Sequence, residues 1–192
     1  MENNKSASMA SKLRPALVSL LLLTLICGVI YPAIVTSIAQ MAFPNQANGS
    51  IITVTQENGT TSAVGSALIG QTFTKPQYLI GRPQGTSQLS PVSEEQKALI
   101  QERVVWWQAL DPENSGAIPS DLVTASGSGV DPNISPEAAE YQVERIAQAR
   151  NMPVTAVREI IARYTTGKLL GIWGEDAVNV LKVNLALDGR IQ

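Results

Sequence analysis

The segment PALVSLLLLTLICGVIYPAIVTSIAQMA, residues 15–42, decides the fold of this chain. It carries no charge, and as a helix rising ~1.5 Å per residue it would be about 42 Å long, enough to cross a hydrocarbon core of about 30 Å with some tilt. The 192 residues contain no second segment of this kind. We therefore expect a short N-terminal segment at 1–14, one transmembrane helix at 15–42 and a soluble domain at 43–192.

The charges around this segment predict its orientation. Three basic residues and one acidic residue precede it, and the next basic residue after it is Lys75. Basic flanks are retained in the cytoplasm, so we expect 1–14 inside and 43–192 outside, in the cell membrane. A cleaved secretory signal ending near Ser37-Ile38-Ala39 is the alternative, but the apolar part of a signal usually runs only ~7–15 residues.

Gly28 and Pro32 predict a distortion within the span. Proline lacks a backbone N–H, and its ring presses on the carbonyl four residues earlier, which belongs here to Gly28. The freed carbonyl needs a partner in lipid, and glycine permits close approach of another helix. We interpret both residues as candidate contacts with a partner, with a kinked anchor that packs against nothing as the alternative. Cys27 is interpreted as plain helix packing.

The composition excludes several classes of function. The chain contains no histidine and one cysteine, so imidazole bases, histidine triads and multi-thiolate metal sites are excluded. The N-terminal segment holds three of the 14 basic and one of the 16 acidic residues, which leaves the rest of the chain with 11 and 15, a net charge of −4. A nucleic-acid-binding protein would show a basic excess, so we expect no nucleic-acid partner.

The residues after the span predict an α+β fold: one N-terminal transmembrane helix followed by a small mixed α+β extracytoplasmic domain. β-branched or alternating apolar residues are typical of strands, whereas capping serines and apolar residues three or four apart are typical of helices. The predicted strands are 51–55, 60–64 after a turn at Asn58-Gly59, 78–80, and 181–187. The predicted helices begin after Ser93, Ser135 and Met152-Pro153, with inward faces Ile100, Val104 and Trp107; Ala139, Val143, Ile146 and Ala147; and Val157, Ile160, Ile161 and Tyr164.

The loop at 121–136, DLVTASGSGVDPNISP, is rich in hydroxyl groups and glycine. It lacks the lysine and glycine spacing of a phosphate-binding loop, and no activating base lies near its serines. We predict that the loop closes on itself through side-chain to backbone hydrogen bonds, or forms a contact surface through Ser126, Ser128 and Asp131. An anchored hydrolase that pairs Ser126 or Ser128 with Lys75, Lys97 or Lys168 stays open as a third class.

A second short motif, Leu68 to Phe73, reads LIGQTF. Taken alone, it predicts a turn at Gly70 with Leu68, Ile69 and Phe73 in the core. The amide of Gln71 could instead donate and accept hydrogen bonds with a ligand.

These segments together resemble the KdpC family, the C subunit of the Kdp potassium-transporting ATPase. The resemblance runs from about residue 12 to 188, but a longer polar stretch that the family often has after Arg82-Pro83 is short here. The matching stretches are LRPAL at 13–17, Gly28, Tyr31-Pro32, QANGS at 46–50, Gly65-Ser66, LIGQTF at 68–73, GRP at 81–83, the loop at 121–136, Gln142-Val143, Arg145, VNVL at 178–181 and NLALD at 184–188.

The resemblance implies a non-catalytic subunit of a high-affinity potassium uptake complex, with no covalently bound cofactor and potassium as the transported ion. Its partners would be the channel-like potassium-binding subunit, KdpA, and the P-type ATP-hydrolysing subunit, KdpB, in the lipid bilayer. The resemblance also links Gln71 to nucleotide and implies a role in ATP use. With 43–192 outside, Gln71 would be separated from cytoplasmic ATP, so an effect on ATP would have to pass through packed helices. A membrane-anchored binding module unrelated to an ATPase remains the alternative.

Overall fold

The structure is a computed structural model that describes residues 9–56, 59–86 and 88–191. It divides into two compact units, Met1–Ser50 and Ile51–Gln192. Each unit has its own secondary structure.

The first unit is a long apolar helix. It comprises α1 (Met9–Leu25), one π-helical turn (Ile26–Ile30), α2 (Tyr31–Ala42) and the short α3 (Pro44–Ala47). The 31 residues Lys12–Ala42 are long and apolar enough to cross a membrane, and their side chains have no protein around them. The predicted span is therefore a continuous helix with an exposed, apolar surface.

The π-helical turn is the distortion that Gly28 and Pro32 predict. The backbone N–H of Tyr31 donates to the carbonyl of Ile26, five residues earlier instead of four. Pro32 follows at once and has no N–H to offer the Gly28 carbonyl. One widened turn thus accommodates the proline without breaking the helix.

The second unit has two small sheets and six helices among the described residues. The sheets are an antiparallel hairpin of β1 and β2, and a three-stranded sheet in the order β3-β5-β4. This mixed architecture confirms the predicted α+β class. In chain order the elements are β1 (Ile51–Thr55), β2 (Thr61–Ser66), α4 (Glu94–Leu110), α5 (Ser120–Val123), β3 (Asn133–Ile134), α6 (Pro136–Glu140), α7 (Val143–Arg150), α8 (Val154–Arg163), β4 (Thr165–Thr166), β5 (Ala177–Asn179) and α9 (Val180–Leu187).

The predicted hairpin is present. β1 pairs with β2 from Ile51–Ser66 to Thr55–Thr61, with an irregularity between Ile52 and Thr53. Gly59 adopts a positive φ of 79° in the connecting turn, while its predicted partner Asn58 lies outside the described residues.

Three predicted helix starts are confirmed. The Ser93 hydroxyl accepts a hydrogen bond from the Gln96 N–H at 3.2 Å, and that of Ser135 accepts one from the Ala138 N–H at 3.2 Å. The helix predicted after Ser135 is divided into α6 and α7, and α8 begins after Pro153. The predicted inward faces lie in or against the main core, with Trp107, Val143, Ile146 and Val157 almost fully buried.

The prediction of a strand over 181–187 is wrong, because this segment is helix α9. The side chain of Asn179 caps it by accepting a hydrogen bond from the Lys182 N–H at 3.1 Å. The helix is buried on most of its sides, with Leu181, Val183 and Leu185 all inaccessible. Surrounded helices show no 3.6-residue stripe, so the alternation of apolar and polar residues here was coincidental.

The prediction of a strand over 78–80 is also wrong. Tyr78 to Ile80 belong to no strand, although Leu79 and Ile80 are buried in the core. The N–H groups of Leu79 and Ile80 donate to the side-chain amides of Asn184 and Gln142 instead of to another strand. Burial therefore explains the apolar composition of this segment without a sheet.

Candidate partner-binding site

Three motifs that are far apart in the sequence meet in the second unit. The N–H of Gly70 donates to the carbonyl of Val130 at 2.7 Å, and the N–H of Gly85 donates to the carbonyl of Gly129 at 2.9 Å. We call the region formed by residues 65–71, 81–85 and 121–135 the loop junction.

Close backbone contact explains why glycines occupy this junction. A Cβ atom added at Gly70 would lie 2.5 Å from the carbonyl oxygen of Asp131. One added at Gly129 would lie 2.8 Å from the carbonyl carbon of Gly85, and Gly129 also has a positive φ of 71°. Larger residues would push the loops apart.

An ion pair joins the second and third motifs. The guanidinium of Arg82 lies 3.3 Å from the carboxylate of Asp121, and both side chains are about four-fifths buried. The other oxygen of Asp121 accepts a hydrogen bond from the Ser135 N–H at 2.8 Å. Arg82 also donates to the Thr124 hydroxyl at 3.3 Å, so Asp121 and Arg82 together hold both ends of the hydroxyl-rich loop.

The loop also closes on itself, as predicted. The Ser126 hydroxyl accepts a hydrogen bond from the Gly129 N–H at 3.0 Å and lies 3.3 Å from the Ser128 hydroxyl. The Asp131 carboxylate accepts one from the Asn133 N–H at 2.9 Å. No lysine bonds to either serine among the described residues, so the local geometry provides no base for a serine nucleophile.

Gln71 supports the hairpin and lines a cavity. Its Nε2 donates to the Val64 carbonyl at 3.1 Å. The same atom occupies the space that a side chain at Gly65 would need, since a Cβ added there would lie 1.9 Å from it. Gln71 is half-buried at the wall of a cavity of about 220 Å³. The other polar or aromatic groups on this wall include Arg82, Arg103 and Trp106.

The predicted burial of Leu68 and Ile69 is wrong. They are 60% and 52% exposed, and Val130, bonded to the same turn, is 43% exposed. Phe73 is partly buried against the core, as predicted. The N–H of Gly70 bonds to the loop at Val130, and the two side chains before Gly70 face solvent. The junction thus presents an apolar surface next to Ser126, Ser128 and Asp131.

The remaining candidate contacts, Gly28 and Pro32, lie in the first unit, at the π-helical turn. They form a feature of that unit, which is described by itself. No group of three or more acidic, cysteine or histidine residues placed to hold a metal occurs in the parts of the chain that the structure describes.

Comparison with known proteins places these motifs in a family. The family described as "K+-transporting ATPase, c chain" (KdpC) matches residues 13–189. The chain belongs to the KdpC family. It is 59% identical over 178 residues to the potassium-transporting ATPase KdpC subunit of Listeria monocytogenes serotype 4b (strain F2365), which covers 91% of this chain and 94% of that protein. The KdpC subunit of Janthinobacterium sp. (strain Marseille) is 48% identical over 194 residues, 95% of this chain and all of that protein.

Sequence analysis of this KdpC chain missed the buried polar side chains that hold up the loop junction. Gln142 is fully buried and bonds both the N–H and the carbonyl of Ile80, at 2.8 and 2.9 Å. Gly81 and Arg82 follow directly, so this amide fixes where the second motif enters the junction. Gln142-Val143 and Arg145 are among the stretches that carry the family resemblance, but no local pattern indicates that these polar side chains are buried.

Arg145 extends this polar framework. Its guanidinium donates to the carbonyls of Pro76 and Tyr78 and to the Gln142 side chain, the last at 2.7 Å. Burial lowers the pKa of Arg145 to about 10, while the nearby charge of Asp111 raises it. Arg145 therefore stays protonated at neutral pH and can donate to all these carbonyls at once.

Proposed function

We propose that this chain is a non-catalytic accessory subunit of a potassium-transporting ATPase complex. It would stabilise the complex and assist ATP use or potassium uptake by the partner subunits. The observation that supports this best is the exposed apolar surface of Leu68, Ile69 and Val130 on a turn held in place by backbone hydrogen bonds. Preorganised apolar surface of this kind is typical of protein interfaces.

The proposed partners are a channel-like potassium-binding subunit, KdpA, and a P-type ATP-hydrolysing subunit, KdpB. The loop junction would dock on the outer face of the potassium-binding subunit, with Ser126, Ser128 and Asp131 as polar contacts around the apolar surface. Gly28 and Pro32 would contact a partner helix in the bilayer, where glycine allows close approach. Membrane anchoring and docking would then reinforce each other through effective concentration.

The proposed topology is N-terminus inside and residues 43–192 outside. The basic residues before the span support this orientation. Gln71 would then lie outside the cell, so any influence on ATP affinity would be a coupling free energy transmitted through helices of the complex. ATP would act through the hydrolysing subunit, and Gln71 would have a structural role at the loop junction.

Cysteine labelling tests the topology. In a Cys27→Ala background, Ser115→Cys places a thiol at an exposed position of the second unit, and Ser6→Cys places one before the span. A membrane-impermeant maleimide added to intact cells should label the first variant, and the second only after permeabilisation. The reverse result would refute the orientation.

Charge substitution tests the docking surface. Leu68→Asp combined with Ile69→Asp should abolish co-purification of the P-type subunit or raise the potassium concentration for half-maximal transport by about tenfold or more. Val92→Asp is the matched control, because Val92 is 77% exposed and lies outside the junction. Unaltered assembly and transport in the double variant would refute the docking surface. Failure of the unmodified chain to co-purify any ATPase would instead favour the unrelated binding module.

A further inference from the structure

The turn between β4 and β5 carries a second, separate apolar surface. Four large side chains follow Lys168 around this turn, interrupted only by a glycine. We call residues 169–173 the apolar tip. Its side chains are exposed to 65% (Leu169), 78% (Leu170), 75% (Ile172) and 66% (Trp173).

The tip is a closed turn in which four backbone N–H groups bond to carbonyls of the turn or of its base. Leu169 and Trp173 exchange both backbone hydrogen bonds, at 2.7 and 3.0 Å, and the N–H groups of Gly171 and Ile172 donate to carbonyls within the same turn. A segment can enter the apolar part of a bilayer only when its backbone polar groups are bonded internally. Four of the five N–H groups of the apolar tip meet this requirement.

The conformation of Leu170 favours display of its side chain. Its φ is +55°, in the left-handed region that glycine normally occupies. Gly171 follows with a φ of 76°. A leucine kept in this conformation, with most of its surface in solvent, is a strained arrangement that a polar or glycine residue would relieve, and such strain is typical of functional segments.

Charged residues lie at the base of the turn, before and after the tip. Lys168 precedes it, and Glu175 and Asp176 follow Gly174. Asp176 accepts a hydrogen bond from the Lys168 N–H at 3.1 Å, so the charges gather at the base of the turn. The tip is therefore apolar at its end and charged at its base, the distribution found at the boundary between acyl chains and headgroups, where tryptophan is also enriched.

We propose that the apolar tip inserts into the surface of the lipid bilayer that holds the span. This rests on the proposed function only in that the span crosses a membrane. The eight residues between α2 and β1 reach at most about 28 Å, so the bilayer is always near the second unit. A protein partner fits less well, because one five-residue turn offers far less surface than the about 800 Å² that each side of a stable interface needs.

Nitroxide quenching tests the proposal on the full chain. The chain alone is reconstituted in vesicles of phosphatidylcholine and phosphatidylglycerol, some carrying a nitroxide near the start of the acyl chain. An environment-sensitive probe is attached to Ile172→Cys in a Cys27→Ala background. We expect about half of its fluorescence to be lost, with a shift to shorter wavelength, because interfacial segments enter the bilayer by about 5–10 Å.

Two control positions and one variant make the result specific. A probe on Ser115→Cys, in the same background, should keep its fluorescence. A probe on native Cys27, with Ile172 restored, is measured in a second set of vesicles that carry the nitroxide near the end of the acyl chain. It should be strongly quenched there, because Cys27 lies near the middle of the span, and so reports insertion of the span. Leu170→Asp added to the Ile172→Cys chain should remove most of the quenching at position 172, and Val92→Asp should not.

Each other outcome overturns the proposal. If position 172 is unquenched while Cys27 is quenched, the span is inserted in the bilayer but the tip is not. If position 172 becomes shielded only after the partner subunits are added, its occupant is a protein. If Cys27 itself is unquenched, the span does not cross the bilayer, and both this proposal and the proposed function are refuted.

Discussion

The side-chain amide of Asn184 bonds both backbone polar groups of Leu79. Its oxygen accepts from the Leu79 N–H at 2.8 Å, and its nitrogen donates to the Leu79 carbonyl at 2.8 Å. Gln142 does the same for Ile80. Two amides, one on α9 and the other directly before α7, thus replace the strand neighbours that this buried segment would otherwise need.

Removing the first of these amides should destabilise the domain. We expect Asn184→Leu to lower the free energy of unfolding by about 2–4 kcal/mol, because a buried N–H and a buried carbonyl lose their partners. Chemical denaturation of the full chain in detergent, followed by tryptophan fluorescence, measures this. Gln148→Leu, an exposed amide on α7, should change stability by no more than about 0.5 kcal/mol, and equal effects of the two substitutions would contradict the interpretation.

Replacement by alanine should lower the stability of the domain much more at Arg145 than at Arg158. Arg145 is 4% exposed and bonds the 76–78 backbone, so Arg145→Ala should cost about 2–4 kcal/mol. Arg158 pairs with Glu140 at 2.5 Å, but both side chains are about half exposed. Its removal should destabilise the domain far less, because exposed ion pairs contribute little to stability. The same denaturation measurement compares them, and a smaller loss for Arg145→Ala than for Arg158→Ala would show that the buried framework is not needed.

Two glycines of the same loop system offer a test of the close contact at the junction. Gly70→Ala should destabilise the domain by about 1–3 kcal/mol and reduce binding to partner subunits, because the new methyl group meets the Asp131 backbone. Gly127→Ala is the control, since nothing lies within 4 Å of its added Cβ. Thermal unfolding and co-purification report the two effects. An undisturbed Gly70→Ala chain would mean that the loops can separate freely.

Substitution of Gly28 tests contacts made by the span with other proteins. A Cβ added at Gly28 meets nothing within 4 Å, so a side chain introduced there begins in open space. We expect normal membrane insertion but a several-fold loss of assembled complex, because a close helix contact would be blocked. Ala33→Leu is the size-matched control in the same span. Quantitative co-purification gives the answer, and equal yields for both variants would argue for a bare anchor.

Local signals in the sequence were sufficient for much of the fold. The long apolar helix and the helix starts at Ser93 and Ser135 depend on hydropathy and on capping side chains a few residues away, and all three helices are present. The strand at 51–55 was equally clear, because β-branched residues form an unbroken run there.

The errors arose where distant residues decide the structure. Leu181 and Leu185 alternate with polar residues, yet they belong to a helix enclosed by the core. Leu68 and Ile69 look like core residues, yet hydrogen bonding of Gly70 to Val130 turns them outward. The Arg82–Asp121 pair spans 39 residues of sequence, and no short-range pattern indicates which charges will meet.

The π-helical turn at Ile26–Ile30 has a consequence for the rotational phase of the span. One residue more than an α-helix needs is accommodated there, so the stripes of side chains before and after the turn are offset by about 100° around the axis. Deletion of one residue within the turn would shorten the rod by only about 1.5 Å, yet it would bring the two stripes into a single line. A partner that contacts both halves of the helix would then meet different side chains on one of them.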